Sequence, residues 1–193
     1  MGALWAAAST ARPPSPPPSA RGPHDREVER ATAAASASLA RRPHSRAELA
    51  AKLARRGVDP RAAAAALDRL ATLGVQSDAE FAAAFVRGKW RAGLWAPGRI
   101  AGELAARGVD RAHRDEALAS VFGAPDARLL APKDDPDEAL DALDAALVHA
   151  AARQAALSRG APAAARKRRL VNWLARRGHR WGTISAVLAE VGL

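Results

Sequence analysis

Three stretches of the chain set large apolar residues four apart, close with arginine and glycine, and resume an apolar pattern after a short polar break. They are Leu53-Ala54-Arg55-Arg56-Gly57, Leu104-Ala105-Ala106-Arg107-Gly108 and Leu174-Ala175-Arg176-Arg177-Gly178. An apolar residue stands four positions before each leucine (Leu49, Ile100, Leu170), so two large side chains stack on one helical face. Ten residues after each glycine comes another leucine (Leu67, Leu118, Leu188), followed three positions on by Leu70, Val121 or Val191. The pattern predicts, three times, a helix, a glycine stop and a second helix. Glycine supplies the left-handed conformation that ends a helix, where a Cβ would cost about 1–2 kcal/mol. Asp59 and Asp110, two residues after the first two glycines, are placed to cap the next helix, and Pro60 takes a favoured first helical position. Two helices joined so tightly form a helix-turn-helix-like corner whose apolar faces need a third helix, expected upstream of each phrase.

Residues 25–40 read as the first of these upstream helices, weakly amphipathic through Val28 and Leu39. Ser45-Arg46-Ala47-Glu48 is a capping box that opens a helix running to Arg56, and a third helix runs from Pro60 to Leu73 and stops at Gly74. Ser77-Asp78-Ala79-Glu80 opens a helix carrying Phe81, Phe85 and Trp90, with the phenylalanines in a core and Gly93 as its end. Pro97-Gly98 starts a short helix holding Ile100 and Leu104, and the helix after Asp110 ends near Phe122. Residues 124–145 then carry seven carboxylates against Arg128 and Lys133. Asp135-Pro136-Asp137-Glu138 reads there as a solvated helix start, with Leu140, Leu143 and Leu147 on one side, and not as a calcium loop. The expected organisation is a leader (1–24), three-helix repeats at 25–74 and 75–123, and an acidic connector with a third repeat at 124–193. Abundant alanine, scarce β-branched residues and absent tyrosine make the fold class all-α, an elongated array of three three-helix repeats.

Charge changes this picture more than composition does. The net charge is +10, from 30 Lys and Arg against 20 Asp and Glu, and only four of the cations are lysine. Arginine preference also follows from GC-rich coding, but a surplus of this size directs a domain to polyanions, nucleic acid first. Residues 166–180 are the densest region, seven cations without an acid, and Trp173 and Trp181 are interleaved with them. That combination suits contact with both phosphates and bases; the alternative is a partly core Trp173 with arginines solvating the face.

Cysteine is absent, which removes disulfides, thiolate catalysis and Cys-based zinc sites, and no apolar run reaches the ~18 residues of a bilayer span. Residues 1–24 contain no acidic side chain and include the run Pro13-Pro14-Ser15-Pro16-Pro17-Pro18. They read as a disordered leader, as residues ahead of a misassigned start, or as an organelle transit peptide. The compartment is therefore the cytoplasm if the source is bacterial, or a chloroplast or other organelle if the leader is a transit peptide. The five histidines are dispersed at 24, 44, 113, 149 and 179, and Gly88-Lys89 lacks the upstream glycine of a phosphate-binding loop. No enzyme, catalytic residue, metal site or cofactor is expected.

The three modules, the phrases ending in Arg-Gly, and above all Phe81-Ala82-Ala83-Ala84-Phe85-Val86-Arg87 followed by Pro97-Gly98-Arg99-Ile100 and Glu103-Leu104 resemble the RecX regulatory proteins. The resemblance covers about residues 28–192 and is looser in the third module. Gln76-Ser77-Asp78 departs from the paired aspartates usual in that family, and the bridge from Lys89-Trp90 to Trp95-Ala96-Pro97 is similar to its members in plastid-bearing lineages. The resemblance implies a regulator that engages RecA-type recombinase filaments on single-stranded DNA and restrains recombination; a monomer with no membrane partner is expected. Charge clustering and the family's habit together nominate Arg55, Arg56, Arg87, Lys89, Arg91, Arg99 and Arg107 in the first two modules as contact residues, and Lys167, Arg168, Arg169, Arg176, Arg177 and Arg180 in the third. The alternatives are a helix-turn-helix DNA-binding protein acting without a recombinase, and a helical-repeat scaffold for an unrelated acidic protein. Three corners in tandem suit an extended periodic partner better than a sequence reader, which normally uses one corner per subunit.

Overall fold

The structure, a computed structural model, describes residues 22–122 and 145–193. The expected leader through residue 21, and the connector with its helix start at Asp135, lie outside the described residues. Nine helices form in this part of the chain: α1 (Pro23–Leu39), α2 (Arg46–Ala54), α3 (Pro60–Thr72), α4 (Asp78–Gly93), α5 (Pro97–Ala106), α6 (Arg111–Phe122), α7 (Ala145–Ala156), α8 (Ala163–Ala175) and α9 (Trp181–Glu190). The fold is an all-α helical repeat. The third helix that each corner needs does lie upstream: α1 packs along α3, α4 along α6, and α7 against α8 and α9.

Each module closes on its own core. Leu49, Leu53, Leu67 and Leu70 meet Ala31 and Ala35 in the first, and Phe81, Val86, Ile100, Leu104 and Leu118 meet in the second. Leu170, Leu174, Ile184 and Leu188 meet Leu147 and Ala151 in the third. Truncating any of the buried leucines to alanine costs about 2–5 kcal/mol. Phe85 is half-buried and packs against the second core, as its four-residue spacing from Phe81 predicts.

The three turns are the same object. Gly57, Gly108 and Gly178 take φ of +74°, +72° and +84°. Each glycine N–H bonds the carbonyl three residues back (Ala54, Ala105, Ala175, all 2.9 Å), and the next amide bonds that of Leu53, Leu104 or Leu174 at 3.1–3.3 Å. Asp59 then accepts the amides of Arg61 and Ala62, and Asp110 accepts that of His113, the caps that the spacing predicts. The capping box at Ser45 and Glu48 is present with both of its bonds.

The differences lie at element ends. α1 begins at Pro23, two residues before the expected start, and α2 ends at Ala54 with Arg55 as its C-cap. Gly93 does not take the left-handed position; it stays helical and Leu94 turns instead, at φ +50°. Gly93 is needed for a different reason: a Cβ there would lie 2.8 Å from Trp95 Cδ1. Trp90 shares a helix with the second module's phenylalanines, yet it packs with Leu94 against the third module's core and meets Phe122 edge-on at 5.1 Å. α4 therefore serves two modules.

Candidate nucleic-acid interface

The modules are joined by a device that occurs twice. At the first junction, Ser45 Oγ–H donates to the Arg107 carbonyl at 2.6 Å while Oγ accepts the Glu48 amide. The Arg46 amide reaches Asp78 Oδ1 at 2.7 Å, and Gln76 Nε2 holds the same oxygen at 2.6 Å, so Gln76 orients the carboxylate that joins the modules. Glu48 faces Arg107, with Nε 3.9 Å away, and Glu103 holds the same guanidinium at 3.3 Å. At the second junction, the start of α5 meets the third turn in the same way. The Ala96 amide donates to the Arg177 carbonyl at 2.9 Å, and Gly178 lies so close to Arg99 that a Cβ would sit 2.8 Å from its Cβ.

The second junction differs in charge. Arg177 Nε donates to the Gly93 carbonyl at 2.8 Å and Nη1 to the Trp173 carbonyl at 3.1 Å, which locks the side chain between modules. Its guanidinium stacks 3.8 Å from the Trp173 ring centre. Burial, then Arg176 and Arg99 beside it, pull the Arg177 guanidinium below its ordinary value, although a guanidinium stays charged. His179 occupies the position held by Val58 and Val109 in the other turns, and its Nε2–H donates to the Leu94 carbonyl at 2.8 Å. Burial holds the imidazole below its usual pKa, so it packs as the neutral form.

From this junction a row of alternating rings and cations runs back along the second module. Arg99 lies 3.9 Å from the centre of Trp95 and Lys89 4.3 Å from it; Lys89 is also 5.1 Å from Phe85, and Arg107 4.9 Å. Each such contact is worth about 0.5–1 kcal/mol at exposed sites and more where water is excluded. The six salt bridges among the described residues lie in the first module, the first junction and α5–α6, and none involves Lys89, Arg99 or Arg177. The row is a half-buried edge of positive potential, held in place by rings and backbone carbonyls.

The nominated arginines divide accordingly. Lys89, Arg99, Arg107 and Arg177 come together in the row, with Arg176 exposed next to it. Arg107 is already paired with two carboxylates. Arg87 and Arg91 are exposed on α4, but two residues from Lys89 is roughly 200° of helix, so they face the other way. Arg55 and Arg56 are exposed at the outer turn of the first module, where a Cβ on Gly57 would meet nothing within 4 Å. Lys167, Arg168 and Arg169 are exposed along the first turns of α8, and Arg180 is exposed as the N-cap residue of α9. Sequence reasoning missed Trp95, Gly93 and His179, whose signal was a ring flanked by basic residues at helical spacing and a histidine at a valine position of the repeat.

Fold and junctions define a tandem array of helix-turn-helix-like modules with one strongly basic end. The model for the first three-helix domain of RecX matches residues 31–70, and that for its second three-helix domain matches residues 77–118. The chain thus carries the first and second three-helix domains of RecX. It is 47% identical over 85 residues to the Regulatory protein RecX of Xanthomonas oryzae pv. oryzae, which is 44% of this chain and 52% of that protein. It is 46% identical over 80 residues to that of Pseudomonas fluorescens, 42% of this chain and 51% of that protein. The chain thus spans about half the length of the curated relatives it matches. The fold is similar to the crystal structure of RecX from Lactobacillus salivarius, with a TM-score of 0.64 and 17% identity over 87% of this chain and 98% of that one. A second crystal structure of regulatory protein RecX gives 0.60 and 17% over 88% of this chain and 73% of that one.

Proposed function

We propose that this chain regulates a RecA-type recombinase by lying along its filament on single-stranded DNA and restraining ATP hydrolysis and strand exchange. It does so as a monomer, by binding alone, with no cofactor and no reaction of its own. The reading is carried by the two RecX domains at residues 31–118, joined in tandem to a third module of the same turn geometry and high positive charge. Three turns in one chain suit a partner that repeats, and hydrogen bonds join neighbouring modules at both junctions. The ring-and-cation row supplies the electrostatic attraction to a phosphate backbone, and its cations have no carboxylate to exchange for it at the second junction.

The test is single-stranded-DNA-dependent ATP hydrolysis by a purified RecA-type recombinase while the full chain is titrated in, with a high-salt arm that removes simple DNA masking. Inhibition well below one chain per recombinase is the expected result. No inhibition, or inhibition only at concentrations that coat the DNA, would leave a general basic DNA-binding protein in its place.

A further inference from the structure

The aromatic rings of the described residues are occupied, with one exception. Phe85 carries Lys89 and Arg107, Trp95 carries Lys89 and Arg99, Trp173 carries Arg177, and Trp90 is packed against Phe122. These rings are partly buried and hold cations or core atoms. Trp181 stands apart at 65% exposure, the first residue of α9.

The repeats themselves supply the comparison. Two residues after the turn glycine the first and second modules have Asp59 and Asp110, whose carboxylates accept backbone amides. The third has Arg180 at that position, and Trp181 follows where the others have Pro60 and Arg111. The same position has thus changed sign beside the one ring left in solvent. Charge elsewhere in the module follows suit: residues 145–193 carry nine Lys and Arg against one acid, Glu190, whereas residues 75–122 carry seven against six. A flat apolar ring that directly follows the exposed Arg180, on so basic a module, suits a ligand that is flat and apolar in one part and polyanionic in the other.

We infer that Trp181 stacks on an unpaired base of single-stranded nucleic acid whose phosphates lie against the cations of α8 and its turn. This rests on the single-stranded-DNA part of the proposed function and divides the surface. The row along the second module takes phosphates alone, and the third module alone can sense that a base is present and unpaired.

The test compares a labelled thymidine oligomer of about 16 nucleotides with an abasic oligomer of equal length and charge, by fluorescence anisotropy on the full chain. Base stacking at one position predicts that the wild type prefers the thymidine oligomer roughly 5- to 150-fold. Trp181→Ala should lose that preference while keeping its affinity for the abasic strand and its salt slope, and Trp181→Phe should keep part of it. The inference is overturned if the wild type shows no preference, if Trp181→Ala keeps the preference, or if neither oligomer binds. The last result leaves the recombinase assay, which reads protein contact as well, to stand or fall separately.

Discussion

The turn glycines can be separated into a conformational and a packing role by a double-mutant cycle. Gly57 and Gly108 have nearly the same φ, +74° and +72°, so alanine at either position meets the same backbone penalty of about 1–2 kcal/mol. A Cβ on Gly57 meets nothing within 4 Å, whereas a Cβ on Gly108 would collide with the Ala47 Cβ across the first junction. Overpacking of this kind adds about 1–3 kcal/mol, so Gly108→Ala should cost about 2–5 kcal/mol in total. For a chain of 193 residues, each kcal/mol lowers Tm by roughly 2–4 °C, which separates the two variants by several degrees. Ala47→Gly removes the opposing methyl at a helix cost of about 1 kcal/mol. Combined with Gly108→Ala it should recover about 1 kcal/mol or more relative to the sum of the single effects. Urea unfolding followed by circular dichroism on the four proteins measures the coupling. A coupling below about 0.5 kcal/mol, or a Gly57→Ala as damaging as Gly108→Ala, would refute the view that the phrase glycine is a docking surface as well as a turn.

Ser45→Ala removes a helix cap and leaves the Arg107 carbonyl without its donor, so it should cost about 2 kcal/mol in the same unfolding assay, more than Ser77→Ala, which removes a cap alone. Arg168→Ala with Arg169→Ala changes exposed cations, and if both touch phosphates the log–log salt slope of single-strand binding should shrink by about 1.4; an unchanged slope takes them out of the interface. His179 is held neutral in the fold, so below its unfolded pKa of about 6.5 the unfolded chain takes up a proton that the folded chain resists, and stability should fall as pH drops from 7.5 to 5.5. His179→Gln should flatten that part of the Tm profile, and equal pH slopes in the two proteins would show that the ring titrates freely.

Where the signal is local, the chain reads directly. Leucine and glycine spacing specified three corners, and Ser45, Asp59 and Asp110 specified caps, because these interactions close within four residues of themselves. The junctions were not legible, since Ser45 meets Arg107 and His179 meets Leu94 across 62 and 85 residues, with no periodicity linking the pairs. The same reason hid the double use of α4. Its pattern places Phe81, Phe85 and Trp90 on one helix, but Trp90 packs with Leu94 against the third module's core. For the candidate interface, charge density pointed to the third module, while exposure splits the nominated residues into locked ones such as Arg177 and exposed ones such as Arg168.

The two junctions also differ at one repeat position in a way that experiment can exploit. Glu48 and Arg99 each stand five residues before the phrase leucine, and each faces the next module's turn, where Arg107 and Arg177 are equivalent. Glutamate at the first junction neutralises its arginine; arginine at the second adds a like charge that the fold tolerates by stacking Arg99 on Trp95. Arg99→Glu should rebuild the first junction at the second. It forfeits a cation–π contact of about 0.5–1 kcal/mol and gains a partly exposed ion pair of about 0.2–1 kcal/mol together with relief of repulsion. Arg99→Ala has the same loss without the ion pair, so Arg99→Glu should be at least as stable as Arg99→Ala. Its affinity for a thymidine oligomer should nevertheless fall further, because a negative charge now sits in the row. A glutamate variant less stable than the alanine one would mean that Arg99 and Arg177 are not electrostatically opposed, and that the bare charge at this junction has no cost in stability to offset by binding a polyanion.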